Sequence, residues 1–184
     1  MSETTATVRE PLTAPDAEAG PCELTSHVRL ARVIMLVNPL SGSVGPRAAE
    51  EALEILSRYA CETTIVSLET GAFDAQIEAA LAEKPDALFV LAGDGTAGTI
   101  ASRAGPDGPL VAPLPGGTMN MLPRALYGSS DWKTALKVSL EEGAPHGVAG
   151  GEVTDGEGRQ AFFCAPVFGA PASGGPPRRA ARPR

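Results

Sequence analysis

Residues 87–96 read ALFVLAGDGT. Six apolar residues in unbroken succession, flanked by Asp86 and Gly93, are too short a run for a buried helix and suit a strand covered on both faces. The Gly93-Asp94-Gly95-Thr96 turn follows at once, and residues 97–104 suit a short helix. The same grammar extends upstream. Residues 32–38 (RVIMLVN) are short, apolar and β-branched, and end at the turn-forming cluster Pro39-Leu40-Ser41-Gly42-Ser43. Ala49, Ala52, Leu53, Leu56 and Ala60 then recur along one helical face. Residues 63–68 read as a second strand, and Phe73, Ile77, Ala80 and Leu81 form a second helical stripe. Downstream, residues 110–114 give a fourth strand and Pro115-Gly116-Gly117-Thr118 opens another helix. A last helix carries Trp132, Ala135, Leu136 and Leu140. Strands alternating with helices predict an α/β fold: a parallel sheet with right-handed crossovers and helices on both faces.

After Gly143 the pattern changes. Residues 148–153 and 161–167 are strand-like runs around Asp155-Gly156, a turn dipeptide. They read as the first hairpin of an incomplete β-rich domain. The expected organisation is a flexible leader over residues 1–28, an α/β domain over 29–143, the start of the β-rich unit over 144–168, and a disordered Pro/Arg-rich tail over 169–184. The tail reads as a premature stop or a change of frame.

Composition narrows the function classes. Of 184 residues, 43% are hydrophobic and 20% charged, which permits a globular core. No apolar run approaches the ~20 residues of a membrane span, and the first residues lack the pattern of a signal peptide. Arg178, Arg179, Arg182 and Arg184 close the chain, leaving 11 basic against 22 acidic residues in the rest. An acidic body disfavours nucleic-acid binding. Cys22, Cys61 and Cys164 are odd in number and lack metal-ligand spacing, as expected of reduced thiols in a cytoplasmic protein. His27 and His146 belong to no hydrolase or zinc constellation.

Three glycine-bearing turns fall at the carboxyl ends of expected strands, where open parallel sheets bind ligands. Glycine lets backbone N–H groups approach an anion, and a helix start adds favourable partial charge. Each turn alone could be a tight connection; together they point to a phosphate site. Gly93, Gly95 and Gly98 also fit the dinucleotide fingerprint G-x-G-x-x-G. The acidic residue that should follow is missing, because the next strand ends in Pro113-Leu114-Pro115. Asp94 would repel phosphates unless a cation or a transferable proton intervenes, which favours phosphoryl transfer over passive dinucleotide binding. Asp94 could equally be a helix N-cap, and Asn38 and Asn120 could each simply tie down a turn.

Val37-Asn38-Pro39 with Ser41-Gly42, then Ala92-Gly93-Asp94-Gly95-Thr96, then Pro115-Gly116-Gly117-Thr118 with Asn120, resemble the diacylglycerol kinase catalytic domain family, which includes sphingosine kinases and bacterial lipid kinases. Its nucleotide-binding fold is shared with NAD kinases. The resemblance implies a Rossmann-like fold and an ATP-dependent kinase, active with Mg2+, that phosphorylates a lipid hydroxyl and touches the membrane surface transiently. It implies nucleotide contacts from Asn38, Ser41, Gly42, Thr70, Ala92, Gly93, Asp94, Gly95, Thr96, Gly98, Gly117, Thr118 and Asn120. Asp94 would serve as the catalytic residue near magnesium or the acceptor hydroxyl. The sequence departs from the family's pattern at Ala92, at Gly98-Thr99 and at Met121. The alternatives are a non-catalytic nucleotide-binding remnant, or a NAD kinase-like or other dinucleotide-binding protein.

Overall fold

A computed structural model of the chain describes residues 12–13, 22–23, 29–148, 150–155 and 158–163. In chain order the elements are β1 (Leu12–Thr13), β2 (Cys22–Glu23), β3 (Arg29–Leu30), β4 (Arg32–Val37), α1 (Ala48–Leu56), β5 (Glu62–Ser67) and α2 (Phe73–Ala82). There follow β6 (Ala87–Ala92), α3 (Asp94–Ala104), β7 (Leu110–Pro115), α4 (Met121–Tyr127), α5 (Trp132–Glu141), β8 (Gly151–Asp155) and β9 (Gly158–Phe162). The main sheet has the order β1-β5-β4-β6-β7. Its four longer strands are parallel, with Leu36 opposite both Val66 and Val90, and Val90 opposite Pro113.

Alternation along the buried strands divides the core in two. Val33, Met35, Val37, Phe89 and Leu91 face α1 and α5, packing against Ala52, Leu56, Trp132 and Leu136. Ile34, Leu36, Leu88 and Val90 face α2 and α3, packing against Ile77, Ala80, Ala97 and Ile100. Every residue of β6 is buried, as its unbroken apolar run requires. The sheet is therefore covered on both faces by helices. Asp131 starts α5 by accepting the Thr134 N–H at 2.9 Å and its hydroxyl at 2.6 Å. That side-chain bond chiefly holds its carboxyl below the usual range.

Several boundaries differ from the sequence reading for local reasons. Helix α3 begins at Asp94, three residues early: Gly93 is extended (φ −78°, ψ 165°) and acts as the cap, and an acidic first residue suits a helix N-terminus. Gly95 and Gly98, poor helix formers, obscured that first turn. Helix α4 starts only at Met121, because Gly116 and Gly117 are packed against β6 and Asn120 is left-handed (φ 50°). Helix α1 stops at Leu56, so Ile55 completes its buried face in place of Ala60. In the stretch read as a leader, Leu12–Thr13 pairs antiparallel with the outer edge of β5 and Cys22–Glu23 pairs with β3. The remainder of residues 1–28 lies outside the described residues. The hairpin pairs Gly151 with Phe162 and Asp155 with Gly158, closer to its turn than the apolar runs suggested. Cys164, the rest of the second run and the tail over 169–184 lie outside the described residues.

Two stability measurements follow from this packing. Phe89→Ala empties a fully enclosed site between the sheet and α1/α5 and should lower the unfolding free energy by about 3–5 kcal/mol in urea titrations. Burial pushes the Tyr127 phenol up to about 12, with a hydrogen bond to Ser139 opposing the shift. A folded value above the unfolded one, near 10, gives stability that is complete below pH 10 and is lost as pH rises toward 12. The unfolding free energy should therefore fall across that window more steeply than in Tyr127→Phe, by about 1.4 kcal/mol per pH unit.

Candidate functional site

The chain runs from β4 through α1 to β5 on one side, then crosses back through α2 to β6 on the other side of β4. The strand order thus reverses between β4 and β6, the place where open α/β sheets bind ligands, beyond the carboxyl ends of the strands. Asn38 follows β4, Gly93 follows β6 and Gly116 follows β7, so three of the sequence's turns share one edge.

The turns are bound to one another. The Asn38 N–H donates to the Leu91 carbonyl at 2.9 Å, and the Gly116 N–H to the Ala92 carbonyl at 3.1 Å. Ser43 bridges the first turn to the third: its N–H donates to the Gly116 carbonyl at 3.0 Å and its hydroxyl to the Gly117 carbonyl at 2.8 Å. A Cβ on Gly117 would fall 2.6 Å from Gly93 Cα, and one on Gly116 would fall 2.7 Å from Ala92 N. These two glycines are required by backbone packing, with no positive φ involved.

Each expected site residue has a definite place. Asn38 accepts the Leu40 N–H on Oδ1 at 3.1 Å and so shapes its own turn. Asn120 is buried and left-handed; its Oδ1 accepts the Gly117 N–H at 2.7 Å and its Nδ2 donates to the Gly117 carbonyl at 2.8 Å. Thr118 is exposed, with Oγ1 3.6 Å from where a Gly42 Cβ would stand, so Ser41-Gly42 and Thr118 face each other. Gly95 and Thr96 lie in the first turn of α3, where N–H groups have no partner within the helix. Thr70 is exposed in the turn after β5, one strand beyond Asn38. Gly98 points elsewhere: a Cβ there would meet the Phe163 ring at 3.8 Å.

Asp94 has a role that neither sequence alternative contained. One carboxylate oxygen accepts the Met121 N–H at 3.1 Å and the other the Leu122 N–H at 3.2 Å. It thereby satisfies donors at the start of α4, a different helix from its own. Ser43 is the residue that sequence reasoning passed over, although its hydroxyl beside two glycine-flanked turns was visible.

The first-turn N–H groups of α3, an eleven-residue helix, and the exposed Thr118 hydroxyl are donors of the kind that phosphate oxygens accept from, and the Gly93–Gly117 approach leaves no room for a side chain between them. Among the described residues, no group of three His, Cys, Asp or Glu side chains could hold a metal by itself.

Residues 32–150 match the family model described as the diacylglycerol kinase catalytic domain. No curated protein matches the chain. The match begins with β4, takes in all three turns and ends just before β8.

Substitutions should separate these contacts. Gly117→Ala should destabilise the fold by about 1–3 kcal/mol, because its methyl group must displace the Gly93 backbone. Asp94→Asn keeps one acceptor oxygen but turns an amide donor toward the other N–H, and should cost about 1 kcal/mol; Asp94→Ala, which removes both bonds, should cost about 2 kcal/mol. Urea unfolding of the three variants beside the parent measures each value.

Proposed function

The chain belongs to the diacylglycerol kinase catalytic domain family, and from that premise we propose that it is an ATP-dependent lipid kinase domain. The proposed reaction moves the γ-phosphoryl of Mg-ATP to a lipid hydroxyl. The observation that carries this reading is the interlocked set of turns at the β4/β6 reversal, where Gly93 and Gly117 meet backbone to backbone and Thr118 faces Gly42.

The Gly95 and Thr96 N–H groups and the Thr118 hydroxyl would hold the triphosphate. Ser41, Gly42 and Asn38 would border it from the β4 side, with Ala92 and Gly93 forming the floor. Asn120 would act through Gly117, which it clamps. In the transfer, the acceptor oxygen bonds to the γ-phosphorus as the bond to the leaving ADP oxygen breaks, and the hydroxyl proton passes to a base. Asp94 keeps lone pairs after accepting from Met121 and Leu122, so it can meet a magnesium-bound water or the acceptor hydroxyl from its fixed position. Magnesium, when bound, offsets the charge on the phosphates.

The dinucleotide alternative has less support, since Gly98 packs toward Phe163 and β7 ends in Pro113-Leu114-Pro115. The test is a thermal-shift titration with Mg-ATP and with NAD, paired with transfer of labelled γ-phosphate to dioctanoylglycerol in mixed micelles. Saturating Mg-ATP should stabilise the chain by about 2.7 kcal/mol at a hundred times its Kd, and NAD should not. Thr118→Ala should weaken Mg-ATP about ten-fold, equivalent to about 1.4 kcal/mol. Stabilisation without transfer would identify a nucleotide-binding remnant, and a folded chain indifferent to millimolar Mg-ATP would end the kinase reading.

A further inference from the structure

Two consecutive peptide planes beyond β7 are gripped by the same pair of residues. In the Gly116–Gly117 plane the carbonyl accepts the Ser43 N–H at 3.0 Å, and the N–H donates to Asn120 Oδ1 at 2.7 Å. In the Gly117–Thr118 plane the carbonyl accepts twice, from the Ser43 hydroxyl at 2.8 Å and from Asn120 Nδ2 at 2.8 Å. A carbonyl oxygen has two lone pairs, so both are occupied.

The other end of the second plane is open. In a trans peptide the N–H points opposite to the carbonyl, so the Thr118 N–H turns away from Ser43 and Asn120. Thr118 is exposed, and its N–H has no hydrogen-bond partner among the described residues. Asn120 is buried. The negative end of this peptide therefore faces protein and the positive end faces outward.

This orientation needs holding. Gly117 has no Cβ, so its own side chain does nothing to stop the plane from turning over. Turned over, it would present a carbonyl oxygen beside the first-turn N–H groups of α3 and repel an anion there. Asn120 holds the carbonyl from a left-handed backbone (φ 50°), a conformation uncommon outside glycine. Ser43 holds it from a turn that is closed independently: the Ser41 N–H donates to the Asn38 carbonyl at 3.1 Å and the Val44 N–H to the Ser41 carbonyl at 3.0 Å.

We infer that Ser43 is a positioning residue, whose hydroxyl, together with Asn120, keeps the Gly117 carbonyl inward and the Thr118 N–H outward, so that an anion at this edge meets a donor. Ser43 acts through Gly117 and touches no ligand. The identity of the anion, the phosphates of Mg-ATP, rests on the kinase reading.

The test compares the full chain with Ser43→Ala and Ser43→Thr by amide NMR on isotope-labelled protein and by calorimetric titration with Mg-ATP. Ser43 is exposed, so the methyl group of Thr has room, and Gly117 keeps Asn120 as a partner in Ser43→Ala, so both variants should unfold close to the parent's urea midpoint. Ser43→Ala should show a second conformation at the Gly117 and Thr118 amides, as a second signal or as microsecond-to-millisecond exchange; the parent and Ser43→Thr should not. Mg-ATP affinity should fall about five-fold in Ser43→Ala, the worth of one net hydrogen bond, and stay within about two-fold of the parent in Ser43→Thr. A hydroxyl that merely ties two turns together would lower the midpoint and leave amides and affinity as in the parent, which would overturn the proposal. A second conformation with unchanged affinity, or lost affinity with neither amide affected, would overturn it as well. If the folded parent itself binds no Mg-ATP, the kinase reading falls, and the two amides alone decide whether Ser43 holds the peptide.

Discussion

The ends of β6 and β7 meet through bare backbone. Gly116 and Gly117 pass so close to Ala92 and Gly93 that a single methyl group would be 2.6–2.7 Å from a main-chain atom. Such an approach brings the glycine turns to one level at the sheet edge, and the other contacts depend on it. Ser43 reaches across to two carbonyls of the Gly116-Gly117 pair, Asn120 closes a two-bond ring on Gly117, and Asp94 reaches the start of α4. A turn lined with Cβ atoms would hold these partners apart and leave no floor for an anion.

The rigidity of that edge comes from below it. Strands β4 and β6 are buried on both faces between two helical layers, so the positions of Asn38 and Gly93 follow from a packed core. The polar side chains at the site are then largely spent on shape: Asn38, Asn120 and Ser43 all bond to nearby backbone. N–H groups at a helix start and the Thr118 hydroxyl form a donor set of the kind suited to phosphate oxygens. Asp94 links two elements of that edge, since it opens α3 while its two oxygens organise the start of α4.

On its free side β7 offers the opposite character. Of its three outward positions, 111, 113 and 115, two are proline, which cannot donate to an added strand, and the groove beside it is lined mostly by apolar residues.

The amino-acid sequence by itself determined the strands and helices whose signal is local: the unbroken run of β6, the helical stripes of α2 and α5, and the glycine turns at strand ends. It also placed Thr118, Gly42 and Gly93 together, because strand ends in a parallel sheet must share an edge. Tertiary structure decided the rest. The pairing of Asp94 with Met121 and Leu122 and that of Ser43 with Gly117 join residues 27 and 74 positions apart or more, beyond the reach of any periodic pattern. The start of α3 at Asp94 was hidden by two glycines whose weak helix propensity is overridden by packing of Ala97 and Ile100. The diversion of Gly98 toward Phe163, and the apolar cavity beside β7, exist only once the hairpin and α4 lie against α3, because a surface shared by distant segments has no signature in any one of them.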